Sequence, residues 1–124
     1  MALPTRQVGD GGERRAKAYL EDKGLECLAS NYRTRWGELD LVMRDGGAVV
    51  FVEVKTRRST AYGSPQEAVH SSKQGRMLKA ALMFIKDRRL AGQDYRFDVV
   101  AVNPDGSIEH LPDAFSPDSA EYTI

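Results

Sequence analysis

One apolar run constrains the fold of this chain more than any other feature. Ala48-Val-Val-Phe-Val-Glu-Val-Lys-Thr56 is dense in β-branched residues and reads as a buried strand. Two charged residues, Glu53 and Lys55, stand inside it. A carboxylate and an ammonium are costly to bury unless something pairs them. Upstream, Gly37-Glu-Leu-Asp-Leu-Val-Met43 reads as a second strand and carries another out-of-place acid, Asp40.

The connection between these runs decides whether the acids meet. Asp45-Gly46-Gly47 is a hairpin signal between two β-rich stretches. Side chains alternate faces along a strand. Phe51, Glu53 and Lys55 therefore share one face, and Val50, Val52 and Val54 the other. In the preceding strand Leu39, Leu41 and Met43 are expected on one face, with Glu38, Asp40 and Val42 on the opposite one. A two-residue turn at Gly46-Gly47 pairs residues whose numbers sum to 93, so Asp40 faces Glu53 and Glu38 faces Lys55. A turn centred on Asp45-Gly46 keeps the same faces together, and a three-residue connection separates them.

Two carboxylates directly opposed on a sheet repel. At a separation of about 4 Å and an effective dielectric near 20, the repulsion is roughly 4 kcal/mol. Lys55 offsets part of it, and a divalent cation offsets the rest. Mg²⁺ suits such a place, since it uses one or two carboxylates, keeps several waters and accepts substrate phosphate. Each residue also has a plainer reading. Glu53 and Lys55 alone make a sheet salt bridge, Asp40 a turn cap, and Glu13 half of a capping box. Their combination, several charged groups from three elements on an apolar sheet, favours a site.

The rest of the chain supplies the frame. Asp10-Gly-Gly-Glu13 has capping-box spacing, with Asp10 as N-cap. The helix it opens is expected to end near Lys23 at the C′ glycine Gly24, with Ala16, Tyr19 and Leu20 facing inward. Glu13 lies three residues before Ala16 and shares that side. Residues 1–8 read as a flexible leader. Leu25–Tyr32 is a first strand, Glu38–Arg44 and Val49–Thr56 the next two, and Arg57–Pro65 a loop. Ser71 or Ser72 caps a helix ending before Gly92, with Met77, Leu78, Ala81, Leu82, Phe84 and Ile85 as its apolar face. Tyr95–Asn103 is a fourth strand, Asn103-Pro-Asp-Gly106 a turn, and Ser107–Leu111 a short edge strand. Residues 9–111 thus form one α/β domain, a mixed β-sheet flanked by helices in the order αβββαβ. Residues 112–124 are an acidic tail.

With 124 residues the chain suits a single core. No apolar stretch is long enough to span a bilayer, so no membrane role is expected. The lone Cys27 excludes an internal disulfide and fits a reducing cytoplasm. Net charge is zero, but five acids and no Lys or Arg follow Asn103, which leaves an excess of five positive charges in the remainder. A basic body fits a polyanionic partner, and a solvated surface explains it equally well. His70 and His110 are the only histidines, which excludes a histidine-rich zinc site. No G-x-S-x-G elbow, Walker A loop or strand-preceded dinucleotide fingerprint is present.

Gly37-Glu-Leu-Asp40 followed by Phe51-Val-Glu-Val-Lys-Thr-Arg57 resembles the PD-(D/E)xK nuclease superfamily, whose restriction-endonuclease-like core has the same element order. More closely, the chain resembles the YraN-like family of small bacterial proteins, related to archaeal Holliday junction resolvases. Asn31-Tyr-Arg33, Tyr62-Gly-Ser-Pro65, Glu67-Ala-Val69, Lys73 and Arg96-Phe-Asp98 extend the likeness, which covers about residues 9–103. Leu39 stands where the superfamily often has proline. The resemblance implies metal-binding carboxylates at Asp40 and Glu53, a catalytic lysine at Lys55, and a first-helix acid at Glu13. It implies a DNA endonuclease in which Asp40, Glu53 and the Val54 carbonyl hold Mg²⁺ or Mn²⁺. Arg33, Arg35, Arg57, Arg58 and Lys73 are the expected contacts to nucleic acid, with Arg76 and Lys79 on the same helix edge as Lys73. Asp98 is expected to be structural. Symmetric cutting of a junction implies a homodimer. Two rival readings are a nucleic-acid-binding module that does not cut and a protein-interaction adaptor.

Overall fold

In chain order the elements are α1 (Pro4–Asp22), β1 (Glu26–Arg33), β2 (Glu38–Asp45), β3 (Ala48–Thr56), α2 (Ser71–Asp87), β4 (Asp94–Val102) and β5 (Ile108–Phe115). The structure, a computed structural model, describes residues 4–58 and 71–116. The expected loop at Arg57–Pro65 lies outside them from residue 59 onward, as do residues 117–124 of the expected tail. The strands form one mixed sheet in the order β1-β2-β3-β4-β5. The pairs β1–β2, β2–β3 and β4–β5 are antiparallel, and β3–β4 is parallel across the α2 crossover.

Each face of the sheet is covered by one helix. Ala16 and Leu20 of α1 pack with Leu41, Met43, Val50, Val52, Val100 and Val102. Met77, Ala80, Ala81 and Phe84 of α2 pack on the other face with Val42, Val49, Phe51, Phe97 and Val99. Burying such side chains stabilises the fold by about 1.5–3 kcal/mol for each large one. Leu82, expected on the inward face of α2, is instead 54% exposed. The buried stripe runs through positions 77, 80, 81 and 84, and residue 82 falls outside that arc.

Two boundaries differ from expectation. α1 begins at Pro4, so Asp10 lies within the helix and is not its N-cap. Three glycines, Gly9, Gly11 and Gly12, hid this extension, since each disfavours a helix by about 1 kcal/mol relative to alanine. Gly12 also lets α1 approach the end of β3, where a Cβ would stand 2.1 Å from the Thr56 hydroxyl. At the other end of the domain, β5 runs on to Phe115. Pro112 and Asp113 have the composition of a tail, but Asp113 takes a left-handed φ of 52° inside a register shift. Beyond it Ala114 is buried and Phe115 stacks on Phe97, with ring centroids 5.1 Å apart.

The hairpin register is the expected one. Leu41 pairs with Val52, Val42 with Phe51, and Asp45 with Ala48 across a two-residue Gly46-Gly47 turn. Strict alternation nevertheless fails upstream of Leu41. Leu39 joins Val42 and Phe51 under α2, whereas Leu41 and Met43 lie under α1. The neighbouring strand changes in step. Ala29 and Tyr32, an odd number of residues apart, both pack on the α2 side, and Asn31 between them has φ 52°. β1 and β2 therefore kink together where Asn31 lies beside Asp40. Leu39, expected to share a face with Leu41, is turned over by this kink.

The turn from β1 to β2 is pinned against α2. A Cβ on Gly37 would stand 2.7 Å from the Arg76 carbonyl oxygen and 2.9 Å from Arg76 Cβ. Gly37→Ala is expected to lower stability by about 1–3 kcal/mol, because backbone must shift to admit the methyl. The check is a lower midpoint in urea unfolding at unchanged slope; a wild-type midpoint contradicts this packing.

Candidate active site

The kink at Asp40 aims its carboxylate across the end of the β2–β3 ladder. The β2–β3 ladder ends at Leu41↔Val52. The Val54 N–H donates instead to Asp40 Oδ2 at 2.8 Å. Glu53 is only 5% exposed. It shares a hydrogen bond with Asp40 and accepts an ion pair from the Lys73 ammonium, near the start of α2. The two acids thus meet, as the register requires, though not as a regular cross-strand pair.

Their electrostatics follow from burial. Loss of solvent raises the Asp40 carboxyl above its ordinary value, and the Val54 N–H, the Glu53 hydrogen bond and Lys73 only partly reverse this. Burial and the charge of Asp40 push Glu53 up to about 8, against the pull of Lys73. Without a bound cation the pair therefore keeps a proton at neutral pH. The folded chain then holds a proton that the unfolded chain releases above the ordinary glutamate value of 4.5. The sign follows: this stability is complete below 4.5 and is lost as pH rises toward 8. In EDTA, wild-type stability is expected to fall from pH 5 to pH 8 relative to Glu53→Gln, read by urea midpoints. Parallel curves for the two proteins contradict the shift.

The pair opens into a cleft of about 740 Å³. Glu13 of α1 lines it, as do Lys55 of β3, Arg33 and Arg35 at the β1–β2 turn, and Lys73 and Arg76 of α2. Lys55 is exposed. Arg33 also pairs with Glu38 at 3.2 Å on the surface. Glu13, Asp40, Glu53, Val54, Lys55, Arg33, Arg35 and Lys73 are thus brought together. Arg57 and Arg58 are not among the lining residues. Arg57 instead ion-pairs with Glu109 at 2.9 Å, and its side chain is nearly buried there. Lys73 contacts an acid directly, a role distinct from the phosphate contact expected of it.

Trp36 and Thr34, which sequence reasoning did not single out, also line the cleft, as does Met77, expected only as part of the apolar face of α2. An aromatic in Thr34-Arg-Trp-Gly37, just before the strand that carries Asp40, was the available signal. It was hidden because short turns have no periodicity.

The donor set fits one class of cation. Among the described residues no group of three or more His, Cys, Asp and Glu side chains is placed to hold a metal. Closed zinc sites need such groups. Two adjacent carboxylates, one buried and one half-buried, in an open, basic-walled cleft suit Mg²⁺ or Mn²⁺, which retain waters and take phosphate oxygens.

Asp98 belongs elsewhere. It is fully buried on the α1 side and accepts from Arg96 Nε at 3.0 Å and from the Asp113 N–H at 2.9 Å. Its Oδ2 lies 2.8 Å from His110 Nε2. His110 Nδ1 lies 2.9 Å from the Lys23 ammonium. Lysine has only donors, so Nδ1 accepts and Nε2 donates to Asp98. This network ties the end of α1 to β4 and β5, the structural role expected for Asp98. No described helix is long and apolar enough to cross a membrane.

Residues 12–102 match the family model described as Uncharacterised protein family UPF0102. A UPF0102 protein of Syntrophus aciditrophicus is 50% identical over 112 residues, covering 88% of each chain. One of Geobacter metallireducens is 46% identical over 118 residues, 93% of this chain and 97% of the relative. One of Rhodococcus jostii is 46% identical over 112 residues, 87% of this chain and 95% of the relative. Matches of this extent establish that the chain belongs to the UPF0102, or YraN-like, family.

Proposed function

We propose that this chain is a metal-dependent endonuclease that hydrolyses phosphodiester bonds of DNA, with branched or otherwise structured DNA as the expected substrate. The supporting observation is the meeting of two acids, the half-buried Asp40 and the buried Glu53, in a cleft also lined by Arg33, Arg35, Lys55 and Arg76.

Asp40 and Glu53 would hold Mg²⁺ or Mn²⁺, with the Val54 carbonyl as a third oxygen. A bound divalent cation supplies Lewis acidity at a phosphoryl oxygen and lowers the pKa of water. Lys55 orients the attacking water and helps neutralise the scissile phosphate. The Val54 N–H fixes the rotamer of Asp40. Lys73 ion-pairs with Glu53 and would be free to turn to phosphate if a cation took over that acid. Glu13 lines the same cleft and would join the metal site directly or through water. Arg33 and Arg35 hold backbone phosphates, so affinity falls as salt rises. Cutting two strands symmetrically takes a two-fold pair of chains.

The test is nicking and cleavage of supercoiled, single-stranded and four-way-junction DNA with Mg²⁺, with Mn²⁺ and with EDTA. Products in the metal lanes alone support the reading, and none on any substrate contradicts it. One observation favours a second reading, a nuclease-fold module that binds without cutting: the Lys73 ammonium contacts Glu53, one of the two acids a cation would need. In that case salt-sensitive DNA binding persists with no product under any cation.

A further inference from the structure

Trp36 stands outside the chemistry described so far, and its setting is unusual for so large an apolar side chain. It is 39% exposed at the lip of the cleft, on the turn that leads into the strand of Asp40. That turn is rigid. The Thr34 N–H donates to the Gly37 carbonyl at 2.8 Å, and the Thr34 hydroxyl donates to the same oxygen at 2.9 Å. The same hydroxyl accepts from the Trp36 and Gly37 N–H groups, each at 3.1 Å. Gly37 then locks the turn on the α2 backbone at Arg76. The backbone that carries the indole is therefore fixed at the lip.

Its neighbours are cations. The Arg35 guanidinium lies 5.2 Å from the indole centroid and the Lys79 ammonium 5.9 Å. An aromatic surface bracketed by phosphate-seeking groups, beside two acids suited to a hard cation, matches one ligand chemistry. It offers stacking for a base and charge for the phosphates on either side.

We propose that Trp36 is a stacking platform for an unpaired nucleobase, and that the substrate carries unstacked bases next to the phosphodiester in the cleft. The inference rests on the nuclease reading of that cleft and narrows its substrate class. In a closed duplex each base face is covered by its neighbours, so an exposed indole has no partner there. A single strand, a flap or the open centre of a branched molecule presents such faces. Arg35 and Lys79 move from the indole to the flanking phosphates as the base settles on the ring. Stacking tolerates any base, so the platform selects for strandedness and not for sequence.

The chain contains a single tryptophan, so its fluorescence reports on this residue alone. The test uses the full chain with Ca²⁺ replacing Mg²⁺ and two probes, a 12-nucleotide oligothymidylate and a duplex closed by hairpins at both ends. Binding is followed independently by anisotropy of a label on each probe. The oligothymidylate is expected to quench Trp36, and the closed duplex to leave it nearly unchanged. Trp36→Ala is expected to weaken oligothymidylate binding about tenfold, while Trp36→Phe keeps most of the affinity. Anisotropy that reports binding while fluorescence stays constant and Trp36→Ala binds like wild type overturns the stacking role but leaves the nuclease reading intact. Absence of any binding at low salt overturns both.

Discussion

Asp40→Asn and Glu53→Gln are each expected to reduce cleavage by on the order of 10³-fold or more, since each removes a charge that the proposed site needs for a divalent cation. Both replacements keep shape. The asparagine can still accept the Val54 N–H, now through a neutral oxygen. Burial disfavours charge on both acids and Asp40 further disfavours it on Glu53, so neutralising either relieves a cost that offsets the lost Lys73–Glu53 ion pair. The expected signature is therefore a dead enzyme with a wild-type or higher unfolding midpoint above pH 7. Single-turnover cleavage and urea unfolding of the same preparations read the two quantities. Cleavage that survives both substitutions removes the acids from the reaction. A collapse in stability makes them structural instead.

The second large effect concerns the opposite face of the sheet. Asp98→Ala is expected to cost about 3–5 kcal/mol of stability, because it leaves Arg96, His110 and the Asp113 N–H without their common acceptor in a buried place. Burial opposes ionisation of Asp98, yet His110, Arg96 and the Asp113 N–H hold its carboxyl below the usual value of 3.8. The sign is opposite to that of Glu53. The contribution of Asp98 is present above 3.8 and is lost as pH falls through its lower, folded-state value. Asp98→Asn should therefore flatten the acid limb of the stability curve. An unchanged acid limb, or a midpoint shift below about 1 kcal/mol for Asp98→Ala, contradicts the network.

The main lines of the site are legible in the residues themselves. Gly46-Gly47 sets the hairpin register, and that register brings Asp40 to Glu53. What could not be read was how the sheet absorbs two acids in apposition. Alternation assumes a regular ladder, and the kink at Asn31 and Asp40 breaks it. That kink moves Leu39 to the other face and lets Asp40 accept from the backbone of Val54. Lys73 was visible as a basic residue, but its contact with Glu53 depends on how α2 returns over the sheet. That path is set by tertiary packing at Gly37 and Met77, which no local pattern encodes. The same holds for Asp113, whose left-handed backbone places its N–H on Asp98 within a segment of tail-like composition. Trp36 escaped notice because its role depends on exposure, and exposure of an aromatic is not written in its neighbours.

The decisive measurement is the anomalous difference density of crystals soaked in Mn²⁺. The account predicts one strong peak beside Asp40 and Glu53, with the Lys73 ammonium displaced from Glu53. A cleft without a peak, or manganese bound only away from these two acids while Lys73 stays on Glu53, contradicts it.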